Sequence, residues 1–327
     1  MSIRVEKLVL AGLRGFCAGV VRAIDVVEKA LWAGVAPVYV RREIIHNRYV
    51  VDQLRAKGAR FVNEVDEVPP GSPLIFSAHG VAPGVREASR ARGLATVDAT
   101  CPLVAKVHLE ALRYAREGYA ILLIGHADHD ETIGTRGEAP DAIRVIGTRE
   151  EAENVAVPDP GRVAYLTQTT LSLDDTREIV EVLKRRFPGL AGPVSQDICY
   201  ATQNRQEAVK ALVAMVDAVL VLGATNSSNS LRLCEVARAQ GRPAHLVGRA
   251  AETRPEWLEG VRVLGLTAGA STPEILVEEA VRHAREAWGV TSVEELTAVE
   301  EGVTFGPPPE LKTLFPTVGP AGPDEER

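Results

Sequence analysis

Short apolar runs rich in β-branched residues alternate with longer amphipathic segments along most of this chain. The first amphipathic segments are "GVVRAIDVVEKALWAG" and "NRYVVDQLRAKGA". The apolar runs read "KLVLAG", "PVYVRR", "LIFSAHG", "YAILLIGHA", "RVAYLTQTT", "AVLVLGATN" and "VRVLGLTAG". Strand and helix patterns that alternate on this scale predict an α/β architecture with mainly parallel sheets.

A weak internal repeat divides the chain. Three cysteines, Cys17, Cys101 and Cys199, each end a strand-like or extended segment and precede a helix pattern of similar length. Cys101 lies 84 residues after Cys17, and Cys199 lies 98 residues after Cys101; both spacings suit a small α/β lobe. Five positions after each cysteine stands a polar residue, namely Arg22, Lys106 and Asn204. The repeat predicts three lobes of related design, each contributing one cysteine.

The composition is that of a globular protein and excludes several functional classes. Of the 327 residues, 46% are hydrophobic and 25% are charged, and the formal net charge is −7. No run of about eighteen apolar residues is free of charge or glycine, which argues against a membrane protein. The opening segment "MSIRVEKLVLAG" lacks a signal-peptide core, so we expect a cytoplasmic protein that binds neither membrane nor nucleic acid.

The four cysteines are too few and too far apart for a disulfide framework, and a cytoplasmic protein keeps them reduced. Cys234 fits the apolar face of a helix, with Leu231 and Ala237 three residues to either side. The other three stand at predicted helix starts, where the helix dipole stabilises a thiolate. Three convergent thiolates suit zinc, with His79 or His129 as a fourth ligand, or a 4Fe-4S cluster with one open iron. The spacing does not choose between these two centres.

Polar loops follow the predicted strands, at the edge where α/β sheets bind ligands. They read "SAHG", "GHADHDE", "TQTT", "TNSSNS" and "TAGAS" and carry hydroxyls, amides and imidazoles. No Walker A lysine motif or strand-linked GxGxxG is present, so ATP and nicotinamide cofactors lack their usual signature. Backbone N–H groups, hydroxyls and histidines can nevertheless hold a phosphate, and we predict an anionic ligand.

Each of these polar residues also has a purely structural interpretation. Serines are good helix caps and turn formers, and this role is favoured for Ser227, Ser228 or Ser230 taken singly. We predict structural roles for His108, His126, His245 and His283. Ligand and structural roles both remain open for the histidines in polar segments near predicted strand ends, which are His46, His79 and His129.

The chain as a whole resembles the 4-hydroxy-3-methylbut-2-enyl diphosphate reductase family of the non-mevalonate isoprenoid pathway. The matching stretches run in family order over roughly residues 8–285: "RGFCAGVVRAI", "REIIHNRYVVDQL", "IFSAHGV", "DATCPLVAKVH", "LIGHADHDE", "TQTTLS", "DICYATQNRQEA", "NSSNS" and "TAGAS". The resemblance implies a trefoil of three similar α/β lobes around a central cavity. We assign residues 1–101 to lobe 1, 102–199 to lobe 2 and 200–285 to lobe 3. Residues 286–327 form a C-terminal extension whose last dozen residues are predicted to be disordered.

The same resemblance implies the residues of the site. It assigns a 4Fe-4S cluster with one open iron to Cys17, Cys101 and Cys199. It assigns the substrate diphosphate to His46, His79, His129, Ser227, Ser228, Asn229 and Ser271. Thr169 is implied to contact the substrate hydroxyl and Glu131 to supply protons, with His129 also among the catalytic residues.

The implied reaction removes an allylic hydroxyl with two electrons and yields isopentenyl and dimethylallyl diphosphate. Ferredoxin or flavodoxin is the implied electron donor. The histidine loop "HDETIGTRGE" departs from many relatives, which have proline in place of Asp130 and an acidic residue in place of Ile133. A zinc-dependent hydrolase or deaminase built on the same residues is the main alternative, and a non-catalytic iron–sulfur sensor is a third hypothesis.

Overall fold

Three parallel sheets carry the fold of this computed structural model, which describes residues 4–34, 37–297 and 301–315. Its strands are β1 (Lys7–Leu10), β2 (Val38–Arg41), β3 (Ala59–Val62), β4 (Pro73–Phe76), β5 (Ala95–Asp98), β6 (Ala120–Ile124), β7 (Ile143–Ile146), β8 (Val163–Thr167), β9 (Ala218–Leu222), β10 (Ala244–Val247), β11 (Val263–Ala268) and β12 (Ser292–Glu295). Its helices are α1 (Ala18–Trp32), α2 (Arg48–Ala56), α3 (Pro83–Ala91), α4 (Pro102–Arg116), α5 (Asp130–Glu138), α6 (Arg149–Asn154), α7 (Leu173–Arg186), α8 (Tyr200–Val213), α9 (Ser228–Ala239), α10 (Glu274–Ala287) and α11 (Pro309–Leu314).

Each sheet belongs to one α/β lobe. Sheet A has the strand order β10-β9-β11-β1-β12, sheet B has β3-β2-β4-β5, and sheet C has β7-β6-β8. Neighbouring strands pair in parallel in all three sheets, so helices connect them over their faces. The predicted architecture of three mainly parallel α/β lobes is confirmed.

Strand β1 lies in a different lobe from the one that chain order predicts. It falls within residues 1–101 but pairs with β11 and β12 in sheet A, with Lys7 opposite both Val263 and Ser292. Three of its four residues are buried, so it needs neighbours on both edges and cover on both faces. Strand β12, from the predicted C-terminal extension, supplies the second edge. The last dozen residues of that extension lie outside the described residues.

The chain changes lobe at each cysteine of the repeat. Helix α1, after Cys17, shares a hydrophobic core with β2 and β4 of sheet B. Helix α4, after Cys101, packs on β6 and β8 of sheet C. Helix α8, after Cys199, packs with β9 of sheet A. The segment before Cys199 is not a strand, because only an isolated bridge joins Ala191 to β8.

The fourth cysteine and three of the histidines pack as structural residues. Cys234 is 2% exposed in the core of sheet A and α8, although Leu231 in the first turn of α9 is 37% exposed and does not share that core. His108 Nδ1 lies 2.8 Å from Glu138 Oε1. His245 stacks on Trp257, and His283 meets the ring of Trp288 edge-on. Within the described residues, no helix has the length and apolarity needed to cross a bilayer.

Candidate active site

Side chains from all three lobes line one cavity of about 100 Å³. It brings together every residue that the sequence and the resemblance single out: Cys17, His46, His79, Cys101, His129, Glu131, Thr169, Cys199, Ser227, Ser228, Asn229 and Ser271. The lining includes no lysine or arginine. An anion in this cavity would therefore be bound by imidazoles, hydroxyls, amides and backbone N–H groups. His126 is exposed and does not take part.

The three cysteines occupy equivalent positions, each as the N-cap residue of a helix. Burial raises the pKa of Cys101 to about 12, although the N–H of Leu103 acts in the opposite direction. Burial also raises the pKa of Cys199 to about 11, while the Thr202 hydroxyl, 3.2 Å from its sulfur, lowers it. Negative charge on the other cysteines adds to both shifts. These thiols are neutral at pH 7 unless a cation binds them.

The spacing of the sulfurs favours a centre larger than one zinc ion. Two sulfurs bound to one zinc at about 2.3 Å are at most about 4.6 Å apart. Among the described residues, a group of three metal-ligating side chains with all ligand atoms within 4.8 Å exists at His46, His79 and Asp130, and it contains no cysteine. The cysteine sulfurs therefore do not converge tightly enough for a single zinc, whereas a multi-iron cluster spans more space.

Gly19 keeps the space between two of the sulfurs open. A Cβ atom at this position would lie 2.7 Å from Cys101 Sγ and 3.9 Å from Cys17 Sγ. A Cβ would thus fill part of the volume that the cysteines surround. The residues present fit a metal cluster, because sulfur ligands from three lobes border a space that the chain leaves free of side chains.

Three histidine rings pack against one another at the other end of the cavity. His46 and His79 stack with centroids 4.1 Å apart, and His129 meets them edge-on at 5.4 and 5.7 Å. Burial lowers the pKa of His129 to about 4 and that of His79 well below its ordinary value, and positive charge on neighbouring histidines adds to both shifts. Both rings are therefore neutral at pH 7.

Acidic and amide groups orient these histidines. Glu43 Oε2 lies 3.0 Å from His46 Nδ1 and accepts from Asn226 Nδ2 at 2.9 Å. The remaining ring nitrogen of His46, Nε2, is buried without a partner in the described residues. A buried polar atom of this kind is costly to leave unpaired, which indicates a ligand contact.

The two departures from the family pattern differ in position, because Asp130 lies beside the histidines and Ile133 lies on the surface. Asp130 forms an ion pair with Arg42, which joins α5 to the end of β2. Because this pair already engages the carboxylate, Asp130 is poorly available to a cation beside His46 and His79. Ile133 is 42% exposed on the outer side of α5.

Hydroxyls and an amide surround the N-terminus of α9. Ser227 is its N-cap and accepts from the N–H of Ser230, so the structural interpretation of this serine holds together with its place in the cavity wall. Ser228 Oγ donates to Thr170 O at 3.1 Å, and Asn229 Oδ1 accepts from the N–H of Ala270 at 2.9 Å. Ser271 Oγ donates to His46 O at 3.0 Å. A helix N-terminus with such neighbours is a suitable site for a phosphate group.

Glu131 and Thr169 form a buried pair beside the cysteines. The N–H of Thr169 donates to Glu131 Oε1 at 2.6 Å, and its hydroxyl donates to Oε2 at 2.9 Å. The carbonyl of Thr169 accepts from the N–H of Cys199 at 3.0 Å. Burial raises the pKa of Glu131 to about 7, with the two bonds from Thr169 opposing the shift. This carboxyl can therefore hold a proton at neutral pH.

Sequence reasoning missed a buried arginine behind the cysteines. Arg205 is 1% exposed and donates to the carbonyls of Gly15 and Phe16, directly before Cys17. The repeat instead pointed to its neighbour Asn204, which stands five positions after Cys199. The helix pattern alone does not show which of these two side chains faces inward. Gly19 was missed as well, although a glycine two residues after a candidate ligand was a possible signal.

Comparisons with known proteins agree on one family. The chain matches the family described as LytB protein over residues 8–285. It is 56% identical over 308 residues to the 4-hydroxy-3-methylbut-2-enyl diphosphate reductase of Acidothermus cellulolyticus, covering 94% of this chain and 90% of that one. It is 53% identical to the enzyme of the same name from Azoarcus sp., covering 94% and 98% of the two chains.

Solved structures give the same result. The E-1-hydroxy-2-methyl-but-2-enyl-4-diphosphate reductase of Plasmodium falciparum superimposes with a TM-score of 0.90 at 34% identity, covering 97% of this chain and 99% of that one. A structure of (E)-4-hydroxy-3-methyl-but-2-enyl diphosphate reductase gives a TM-score of 0.60 at 33% identity, over 86% and 100% of the two chains. The chain therefore belongs to the LytB protein family.

Proposed function

We propose that this chain reduces 4-hydroxy-3-methylbut-2-enyl diphosphate to isopentenyl and dimethylallyl diphosphate, the last step of the non-mevalonate pathway. In this reaction the bond between carbon and the allylic hydroxyl breaks, two electrons and two protons are taken up, and water leaves. The observation that carries the proposal is the convergence of three cysteines, three histidines and the Glu131–Thr169 pair on one cavity.

Family membership implies a metal cofactor, and we propose a 4Fe-4S cluster held by Cys17, Cys101 and Cys199. When bound, such a cluster supplies single electrons and an open iron that acts as a Lewis acid toward the substrate oxygen. The sulfur spacing beyond the reach of one zinc supports this choice. The raised thiol pKa values support it too, because positively charged iron stabilises the thiolates that burial disfavours.

The histidine end and the α9 N-terminus are proposed to bind the diphosphate. His79 and His129 are neutral before the substrate arrives, and His46 Nδ1 lies beside Glu43, so each ring would donate one N–H to the diphosphate. The side chains that would donate alongside them are Ser227, Ser228, Asn229 and Ser271. The α9 N-terminus adds its unpaired N–H groups and its positive dipole end.

Glu131 is proposed to supply a proton to the departing hydroxyl, with Thr169 between acid and substrate. A proton on Glu131 Oε2 reverses the 2.9 Å hydrogen bond, so the Thr169 hydroxyl accepts from the acid and offers its own hydrogen to the cavity. The pKa of about 7 suits both releasing and regaining a proton near neutral pH. His129, whose Nδ1 accepts from the N–H of Glu131 at 3.2 Å, helps to fix that carboxyl in place.

An external one-electron donor is needed, and we propose ferredoxin or flavodoxin. We place the reaction in the cytoplasm, where the cysteines stay reduced and available to iron.

Anaerobic purification of the full chain tests this function. We expect a brown protein with iron and acid-labile sulfide that converts the hydroxylated diphosphate when dithionite and a viologen mediator supply electrons. Colourless protein with stoichiometric zinc would refute both the reductase and an iron–sulfur sensor. A brown protein that binds the substrate without converting it would support the sensor instead.

A further inference from the structure

Each lobe begins at one cysteine and ends at the next. Sheet B lies between Cys17 and Cys101, and sheet C lies between Cys101 and Cys199. Sheet A begins after Cys199 and, through β1, leads back to Cys17. In each lobe, one cysteine precedes the first helix and the next cysteine follows the last segment. Contacts between that helix and that segment therefore determine the distance between the two cysteines.

In the lobe of sheet B, Arg22 makes this connection. It lies in the second turn of α1, and its Nη1 donates to Thr100 O at 2.9 Å. Thr100 directly precedes Cys101. Arg22 Nε also donates to Gly306 O at 2.8 Å, so the arginine is held on two sides.

In the lobe of sheet C, Lys106 has the equivalent position on α4. Its Nζ donates to Ser195 O at 2.6 Å and lies 2.8 Å from Asp197 Oδ1, two residues before Cys199. The other carboxylate oxygen of Asp197 accepts from the N–H of Thr167 at the end of β8. The lysine thus joins the first helix of the lobe to its last strand and to the cysteine segment.

In the lobe of sheet A, Arg205 on α8 plays this part. Its Nε and Nη2 donate to Gly15 O at 3.0 and 2.8 Å, and Nη2 also donates to Phe16 O at 3.1 Å. Phe16 directly precedes Cys17. Arg205 Nη1 lies 2.9 Å from Glu301 Oε1, and this carboxylate balances the buried charge of the arginine.

We propose that Arg22, Lys106 and Arg205 form a cation ring that positions the three cysteine sulfurs for cluster binding. The proposal rests on the function proposed above, since it concerns the same ligands. Each cation joins the helix that follows one cysteine to the backbone that precedes the next, and the third returns to the first. The ring is closed, so no cysteine segment is held by its own helix alone.

The ring has two physical consequences. Its hydrogen bonds hold the segment that precedes each cysteine against a helix that follows another cysteine. Its cations also offset negative charge, because Lys106 pairs with Asp197 and Arg205 with Glu301, and cluster potentials respond to nearby charge and hydrogen bonds. Loss of a ring cation is expected to speed iron loss and to make the reduction potential more negative.

The test compares each ring variant with an arginine that also binds backbone carbonyls in the same lobe but away from the cysteines. Arg22→Met is matched with Arg92→Met, because Arg92 donates to Val68 O at 2.7 Å. Lys106→Met is matched with Arg186→Met, and Arg205→Met with Arg238→Met; these controls donate to Val155 O and Ala244 O. Full-length proteins are reconstituted anaerobically with iron and sulfide. Iron loss to a ferrous chelator, the cluster potential and the urea midpoint are then measured.

We expect each ring variant to lose iron about tenfold faster than its control, because the loss of one charge-assisted hydrogen bond has an effect of about this size. We also expect a more negative potential in the ring variants only, which a general loss of stability would not produce. Lys106→Met carries the test if Arg205→Met does not fold, because the lysine side chain is 26% exposed. Ring variants that match their controls in both readouts overturn the proposal. A wild-type chain that takes up no iron refutes the proposed function instead, before any variant is compared.

Discussion

Burial shifts pKa values in opposite directions at the two ends of the cavity. At the cysteine end, burial raises the pKa of Cys101 and Cys199 to about 12 and about 11. At the histidine end, burial lowers the pKa of His129 to about 4 and that of His79 well below its ordinary value. Cys101 and Cys199 at one end, and His79 and His129 at the other, are thus uncharged at pH 7, yet thiols bind cations and imidazoles can donate to anions. This difference supports the proposal that a metal binds at the cysteine end and the diphosphate at the histidine end.

The largest expected effect breaks the cysteine end. Cys17→Ala, Cys101→Ala and Cys199→Ala each remove a ligand, so we expect complete loss of stable iron binding and of turnover. Cys234→Ala is the matched control, because that thiol is buried in a hydrophobic core away from the cavity. Iron and sulfide per chain after anaerobic reconstitution measure the difference. Equal loss in all four variants would contradict the assignment.

The pair between the two ends is tested by Glu131→Gln. The amide can keep both contacts with Thr169 but cannot give up a proton, so we expect turnover to fall about 10²- to 10⁴-fold. Iron content and substrate binding should remain as in the wild type. Single-turnover kinetics with prereduced enzyme measure the effect. A variant that turns over near the normal rate removes Glu131 as the proton donor.

The same substitution changes how stability depends on pH. Because the pKa of Glu131 is raised in the folded chain, its protonation stabilises the fold fully below about pH 4.5, and this contribution is lost as the pH rises through about 7. The wild type should therefore lose about 2 to 3 kcal/mol relative to Glu131→Gln over that range. Urea unfolding of both iron-free proteins at several pH values measures it. A difference that stays constant with pH would exclude the shifted carboxyl.

The histidine end is tested by His79→Asn, which removes the ring but keeps a polar group near Ser77. We expect substrate affinity to weaken about 10- to 100-fold, as for the loss of one hydrogen bond to a charged group, with iron content unchanged. His126→Asn is the control, because that side chain is exposed outside the cavity. Calorimetric titration with the substrate measures the affinities. Iron loss in His79→Asn would mean that the two ends are not separate.

The smallest effect comes from filling the space between the sulfurs. In Gly19→Ala the new methyl group lies 2.7 Å from Cys101 Sγ, so the helix or the sulfur has to shift. Overpacking of this kind is expected to weaken iron retention about fivefold. Gly84→Ala is the control, because a Cβ there meets nothing within 4 Å. Retention equal to the control would show that Cys101 can move without cost.

The positions of the candidate ligands could be predicted because they follow strand ends and helix starts that local patterns reveal. Cys101 stands between a strand run and a proline-started helix, and His79 and His129 stand three and five residues after the ends of apolar strands. The partners of Arg205 could not be predicted in this way, because they are carbonyl groups of Gly15 and Phe16, which any residue type provides. The exchange of β1 into sheet A was equally hidden, since parallel pairing depends on contacts across more than two hundred residues.

The position of β1 in sheet A determines when this strand can pair during synthesis of the chain. A chain that leaves the ribosome N-terminus first exposes Lys7–Leu10 early, but the two strands that flank β1 are Val263–Ala268 and Ser292–Glu295, which are synthesised late. Until those residues are synthesised, β1 has no edges to join, and Cys17 is not yet fixed beside Cys101 and Cys199. Pairing between strands that are far apart in the sequence forms late and slowly. A metal held by all three cysteines would therefore enter only after β11 and β12 have been synthesised.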